Sequence, residues 1–144
     1  MGRSSGSDRR VPPAGRIVDV IFVDTNVFMY AVGREHPLRG EARDFFESNI
    51  LQGGQLVTSA EVQQELMHAY LPVDRLVTLD AALTLTESVA DVWPLEPADV
   101  AHARALMERH RGLSARDLIH VACCQRRGVR QIRTFDRQLA SAFG

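Results

Sequence analysis

Short apolar runs alternate along the chain with longer segments in which apolar residues recur every three or four positions. The first run, residues 20–23, is rich in β-branched residues and is typical of a strand buried on both faces. The pattern predicts strands over residues 20–23, 55–58, 92–95 and 131–135. It predicts helices over residues 27–32, 41–51, 60–71, 74–90, 97–110 and 115–127, and a last short helix that begins at Asp136.

Strands separated by one or two helices predict a parallel sheet covered on both faces, and therefore an α/β fold with about four to five strands. The third strand should lie at an edge of the sheet, because Pro94 has no N–H to donate. In sheets of this kind, ligands bind beyond the carboxyl ends of the strands. We therefore expect site residues directly after strands or in the first turns of the following helices.

The apolar stripes and end signals of the helices predict which residues are buried. Ser59 and Ser114 are predicted N-caps, and Gly128 is predicted to end the helix that precedes it. The second helix is predicted to bury Ala42, Phe45, Phe46 and Ile50, and the third to bury Val62, Leu66, Ala69 and Tyr70.

The composition is that of one ordinary globular domain: 144 residues, of which 45% are hydrophobic and 24% charged. Residues 1–19 are rich in Gly, Ser, Arg and Pro and are predicted to form a flexible tail, so that the folded domain spans residues 20–144. The sequence contains no transmembrane or signal-peptide pattern. The two cysteines, Cys123 and Cys124, are adjacent, which suits neither an ordinary disulfide nor a four-ligand zinc site. We therefore expect a cytoplasmic protein.

Charge is distributed unevenly along the chain. All 17 basic residues are arginine, which excludes mechanisms that need a lysine, such as a P-loop or a Schiff base. Residues 17–103 carry four Arg and fourteen acids, a net charge of −10, whereas residues 104–137 carry nine Arg and three acids, a net charge of +6. This asymmetry could place an acidic site beside a phosphate-binding surface, or it could reflect only solvated helix faces.

Four acidic residues have the expected placement: Asp24, Glu65, Asp117 and Asp136. Asp24 ends the first strand, Asp136 follows the fourth, Asp117 lies in the first turn of a predicted helix, and Glu65 lies in the second turn of another. Each has a possible local role: Asp24 and Asp136 as N-caps, Asp117 in a capping box with Ser114, and Glu65 on a solvent-facing flank. Together, carboxylates at one end of a sheet indicate a hard divalent cation, Mg²⁺ or Mn²⁺, that polarises a phosphate and activates water.

The acids lie in four segments: VDTNVFMYA, EVQQELMHAY, LSARDLIHVA and TFDRQL. In their order and spacing these segments resemble the PIN domain in the form found in VapC-type toxins. The resemblance covers residues 20–144, essentially the whole predicted domain. It implies a PIN-like three-layer α/β/α sandwich around a central parallel sheet. Carried over residue by residue, it implies that the catalytic, metal-binding quartet is Asp24, Glu65, Asp117 and Asp136.

The resemblance also implies supporting roles for Thr25 and Asn26, which follow the first strand, and for Thr134, two positions before the last acid. Glu61 is an alternative to Glu65, because it lies one helical turn earlier beside the same apolar stripe and could share or take over its role. We favour Glu65, since the family's acid usually precedes a leucine.

Histidines are weaker candidates than the acids. His120 lies three residues after Asp117, so both side chains could share a helix face. We interpret His120 as a polar packing residue and not as a metal ligand. The other histidines show no ligand-like spacing: His36, His68, His102 and His110.

The resemblance implies a Mg²⁺-dependent endoribonuclease, with Mn²⁺ as a possible substitute, that is the toxin of a VapBC-type toxin–antitoxin pair. It further implies an RNA substrate, a homodimer and a cognate antitoxin that blocks the site. Two alternatives remain. A haloacid-dehalogenase-like phosphatase also has an acid after its first strand, but that family expects a second aspartate at the position of Asn26, and a lysine. A PIN-fold module without catalysis could bind RNA or protein, although all four acids are present.

The arginine-rich part of the chain supplies candidates for RNA-phosphate contacts. Arg116 is the strongest, because it adjoins Asp117 at a predicted helix N-terminus. The full set of candidates is Arg111, Arg116, Arg126, Arg127, Arg130, Arg133 and Arg137.

Overall fold

A computed structural model describes residues 19–144. Four parallel strands form one sheet in the order β3-β2-β1-β4. Their bounds are β1 Val20–Val23, β2 Gln55–Ser59, β3 Asp91–Trp93 and β4 Gln131–Arg133. The predicted parallel α/β fold is confirmed, and β3 is an edge strand as expected. It covers residues 91–93 and not 92–95, so that it ends immediately before Pro94. Apart from Asp19, the predicted tail lies outside the described residues.

Seven α-helices and one 3₁₀ turn connect and cover these strands in the described part of the chain. They are α1 Thr25–Val32, α2 Arg39–Gln52, α3 Ala60–Tyr70, the 3₁₀ turn Leu71–Val73, α4 Leu76–Val89, α5 Pro97–Leu106, α6 Ala115–Arg126 and α7 Arg137–Ser141. Between residues 19 and 144, none of these helices has the length and apolarity needed to cross a membrane.

Several element ends differ from the predicted ones, each for a local reason. Helix α4 begins at Leu76 and not at 74, because Asp74 adopts a left-handed backbone conformation (φ 57°) that separates it from the preceding 3₁₀ turn. Helix α5 ends at Leu106 and not at 110, where the backbone changes to turns closed by Arg109 N–H on the Leu106 carbonyl. Strand β4 ends at Arg133, two residues early, and so releases Thr134 from the sheet.

The buried stripes follow the predicted spacing, except that Ile50 is exposed and Phe45 is only partly buried. In α2, Ala42 and Phe46 are buried, but Ile50 is 65% exposed, so its predicted burial is wrong. Helix α2 packs against α1, which has eight residues where α2 has fourteen, and the last turn of α2 is left exposed. In α3, the three residues Val62, Leu66 and Tyr70 are buried as predicted, while Ala69 is only partly buried.

Two hydrophobic clusters hold the layers together. The larger one joins β1 and β2 to α1, α2, α3 and α4, with Phe22 and Phe28 completely buried in it. The smaller one joins α5, α6 and α7 around Val121 and Leu139. Both contact Ile132 of β4. Because β1 is an inner strand between β2 and β4, its carboxyl end lies beside theirs, where the chain enters α1, α3 and α7.

Candidate functional site

Asp24 is the central residue at the carboxyl end of the sheet. It is the N-cap of α1, where one carboxylate oxygen, Oδ1, accepts a hydrogen bond from Thr25 N–H at 2.8 Å. The other, Oδ2, accepts from the Thr134 hydroxyl at 2.7 Å. Burial raises the pKa of the Asp24 carboxyl, and the Glu65 charge adds to that, although His120 and these hydrogen bonds act in the opposite direction. The N-cap role of Asp24 therefore leaves its carboxylate close to Glu65 and His120.

Glu65 lies in the second turn of α3, and its carboxylate is close to that of Asp24. The Thr25 hydroxyl donates to Glu65 Oε1, and His120 Nε2 lies 3.2 Å from both carboxylate oxygens. Burial alone would raise the pKa of Glu65, but the hydrogen bond and charge of His120, together with Thr25, outweigh it and hold that pKa below its usual value. Glu65 is thus not a solvent-facing flank.

His120 completes this cluster, which was not foreseen from the sequence. The side chain is completely buried, packs against Phe22 with ring centroids 5.5 Å apart, and places Nε2 3.6 Å from Asp24 Oδ1. In the described part of the chain, Asp24, Glu65 and His120 form the group whose potential ligand atoms all lie within 4.8 Å of one another. The three-residue spacing from Asp117 was the available signal.

Asp117 and Asp136 flank that group without belonging to it. Asp117 is half-buried in the first turn of α6, where its N–H is capped by the Ser114 hydroxyl at 3.2 Å. Burial and the charges of Asp24, Asp136 and Glu65 raise the pKa of Asp117, so this carboxyl lies in the same negative field. Asp136 is the N-cap of α7 and uses Oδ1 to accept from two backbone N–H groups.

Thr134 and Asn26 connect the ends of β1 and β4. The Thr134 hydroxyl donates to Asp24 and accepts from the Asp136 N–H at 3.0 Å and from Asn26 Nδ2 at 3.4 Å. Asn26 Oδ1 accepts from Phe135 N–H at 3.2 Å. This network bridges the chain segments that carry Asp24 and Asp136, which is where supporting residues were expected.

Glu61 lies at the margin of the site. Burial and then the charge of Glu65 raise the pKa of Glu61, while His120 and Arg116 lower it. Glu61 therefore shares the electrostatic environment of the cluster but does not belong to the group of ligand atoms within 4.8 Å.

The candidate arginines fall into two sets. Arg116 is exposed in the first turn of α6, close enough for its charge to lower the pKa of Glu65. Arg111, Arg130 and Arg137 are also exposed. Three others already bind protein acids: Arg133 pairs with Glu41, and Arg126 and Arg127 both pair with Asp99.

A family model of the PIN domain matches residues 21–142. This chain belongs to the PIN domain family. Within the family it is similar to the Mycobacterium tuberculosis ribonuclease VapC23, with 64% identity over 124 residues, 86% of this chain and 98% of that protein. Ribonuclease VapC13 of the same species is 40% identical over 126 residues, 87% of this chain and 96% of that protein.

Solved structures support the fold. The M. tuberculosis toxin VapC20, a sarcin-ricin loop cleaving toxin, matches with a TM-score of 0.71 at 22% identity, over 85% of this chain and 94% of that one. A toxin–antitoxin complex from Klebsiella pneumoniae matches with a TM-score of 0.60 at 18% identity, over 81% of this chain and 86% of that one.

The side chains at this site fit a hard divalent cation. Asp24 and Asp117 both have pKa values raised by burial and by neighbouring acids, so a cation among them would relieve an unfavourable charge arrangement. Carboxylate oxygens are the ligands that Mg²⁺ and Mn²⁺ prefer. Asp24 and Glu65 would hold such an ion, with Asp117 and Asp136 beside them.

Proposed function

We propose that this protein is a metal-dependent endoribonuclease and the toxin of a VapBC-type toxin–antitoxin pair, with Mg²⁺ as its cation and Mn²⁺ as a substitute. The observation that carries the proposal is the gathering of Asp24 and Glu65, flanked by Asp117 and Asp136, at the carboxyl end of a PIN-domain sheet. Relatives that are named ribonucleases support RNA as the substrate.

The proposed reaction is hydrolysis of an RNA phosphodiester by water, without a covalent enzyme intermediate. A bound divalent cation would polarise the scissile phosphate and make water a better nucleophile at neutral pH. The chain's own contribution is orientation. Thr25 and Thr134 hold the Glu65 and Asp24 carboxylates by hydrogen bonds.

The proposed partners are a cognate antitoxin that blocks the site and a second copy of this chain in a homodimer, in the cytoplasm. Solved structures of similar fold include the VapBC2 pair from Rickettsia felis bound to a promoter DNA fragment, and this supports an antitoxin partner.

The deciding experiment is incubation of the purified protein with a single-stranded RNA, with EDTA and then with Mg²⁺ or Mn²⁺ restored. We expect internal cleavage that stops with EDTA and returns with either metal. A haloacid-dehalogenase-like phosphatase would release phosphate from a small phosphomonoester and leave RNA intact. A PIN-fold module without catalysis would bind RNA and leave it uncut under all conditions.

Glu65→Gln should lower the cleavage rate at least about 10-fold, whereas Glu61→Gln should change it by less than about 3-fold. The carboxylate of Glu65 lies in the cluster and that of Glu61 at its margin. Because the pKa of Glu65 is lowered in the folded protein, Glu65→Gln should also reduce stability at neutral pH. Cleavage rates and thermal melts of both variants test this. A larger loss of cleavage for Glu61→Gln than for Glu65→Gln would show that Glu61, and not Glu65, has this role.

Arg116→Gln should weaken RNA binding for all sequences and reduce the slope of log Kd against log salt by about 0.7, the value for one phosphate contact with a single strand. Arg116 is exposed at the N-terminus of α6, beside Asp117. The matched control is Arg104→Gln on α5, whose side chain is 67% exposed and pairs with Glu108. Binding is measured in EDTA by fluorescence anisotropy. Equal slopes for wild type and Arg116→Gln would contradict an RNA contact.

A further inference from the structure

His120 is the one group in the tight cluster that is neither an acid nor assigned a role by the proposed function. Its ring comes from the buried face of α6 and packs against Phe22 of β1. Its Nε2 lies at the same distance, 3.2 Å, from both oxygens of Glu65, and 3.6 Å from Asp24 Oδ1. Its Nδ1 is buried and has no hydrogen-bond partner among the described residues.

The contacts of His120 Nε2 indicate that this nitrogen carries a hydrogen. A lone pair on Nε2 directed at Glu65 and Asp24 would face the lone pairs of three carboxylate oxygens at these distances and would be repelled by them. A hydrogen on Nε2 makes the same contacts attractive, and both the Nε2–H neutral ring and the imidazolium carry one. A nitrogen that carries a hydrogen cannot coordinate a metal ion.

From this geometry we infer that His120 is a positioning residue: it donates Nε2–H to Glu65, sets the orientation of that carboxylate for the cation, and does not coordinate the ion itself. The inference rests on the proposed function, because it concerns the same site. Thr25 holds Oε1 from the α1 side and His120 spans both oxygens from the α6 side, so that Glu65 is held from two elements. Groups that orient metal ligands in this way affect metal affinity about 10–100-fold.

Two substitutions separate positioning from coordination. Glutamine can place its amide N–H₂ near the position of Nε2, whereas asparagine reaches only as far as Nδ1. We therefore expect His120→Gln to retain Mg²⁺ and Mn²⁺ affinity and cleavage rate within about 3-fold of wild type. His120→Asn should bind both ions about 10–100-fold more weakly and cleave correspondingly slowly. Metal affinity is measured by calorimetry with the metal alone and no RNA.

Because His120 is completely buried, a general loss of stability needs its own control. Leu79→Ala removes a buried side chain in α4 and should lower the melting temperature without changing metal affinity. A second measurement uses the wild type only. We expect ¹⁵N NMR of the histidine rings to show the Nε2 hydrogen of His120 in metal-free protein and its retention after Mg²⁺ is added.

The outcomes are distinct. Equal loss in His120→Gln and His120→Asn, or loss of the Nε2 hydrogen with Mg²⁺, would show that the ring nitrogen coordinates the ion and would overturn the inference. Wild-type affinity and cleavage in His120→Asn would also overturn it and would leave the proposed function intact. A wild-type protein that neither binds Mg²⁺ nor cuts RNA would overturn both.

Discussion

Asp24→Asn should lower the rate of RNA cleavage more than about 100-fold. It should leave the metal-free protein as stable as wild type, or more stable by about 0.5–2 kcal/mol. The carboxylate lies in the tight cluster beside Glu65, and burial raises its pKa, so its charge is unfavourable in the metal-free fold at neutral pH. An asparagine Oδ1 can still accept the Thr25 N–H that starts α1. The charge is lost while the cap remains.

Thermal melts with and without Mg²⁺, beside the RNA cleavage assay, test this prediction. Mg²⁺ should raise the melting temperature of wild type but not of Asp24→Asn, because only a folded state that binds the ion gains stability from it. Asp80→Asn, an exposed change on α4, is the matched control and should behave as wild type. If Asp24 were only a helix cap, Asp24→Asn would cleave RNA and Mg²⁺ would affect both proteins alike.

Asp99→Asn should have the opposite profile: a large loss of stability, about 3 kcal/mol, with unchanged cleavage per folded molecule. The Asp99 carboxylate is completely buried between α5 and α6 and accepts from Arg126 at 2.6 Å, Arg127 at 2.8 Å and the Glu96 N–H at 2.9 Å. Arg127 also lies over the Trp93 ring at 4.9 Å. Removing the charge leaves Arg126 and Arg127 with only the half-exposed Glu96 carboxylate, 3.2 Å from each, as a shared anionic partner.

The stability difference between wild type and Asp99→Asn should shrink in acid. Although burial acts to raise the pKa of the Asp99 carboxyl, the bonds from Arg127, Glu96 N–H and Arg126 hold that pKa far below its usual range. The contribution of Asp99 is therefore complete above the pKa of the unfolded chain, about 3.9, and declines as pH falls below it. At pH 3 the difference should be smaller by about 1 kcal/mol.

Urea unfolding at pH 7 and at pH 3 measures this difference. Glu108→Gln is the control, since Glu108 pairs with Arg104 across 3.5 Å on the exposed face of α5 and should contribute less than about 0.5 kcal/mol. A free energy of unfolding that differs equally between wild type and Asp99→Asn at both pH values would contradict a buried ion pair.

Local sequence signals were sufficient to predict the succession of strands and helices along the chain. They were also sufficient to predict the end of the sheet at which the acids lie. A β-branched run such as residues 20–23 specifies a buried strand by its own composition, and Asp24 follows that strand directly, while Asp136 lies three residues after the end of β4. In a parallel sheet all such strand ends lie on one side, so sequence position alone predicts proximity. The N-cap roles of Ser59 and Ser114 are likewise local and are confirmed.

Tertiary packing determined the side-chain contacts between residues that are far apart in the sequence. A spacing of three residues places His120 on the face of Asp117, but only the packing of α6 against Phe22 brings its ring to Glu65 in α3, 55 residues away. Packing of α6 against α5 likewise brings Arg126 and Arg127 into hydrogen bonds with Asp99. Ile50 is exposed because α1 is too short to cover the last turn of α2. Helical periodicity states which side chains share a face, but the partner that a face meets is determined by how the elements pack.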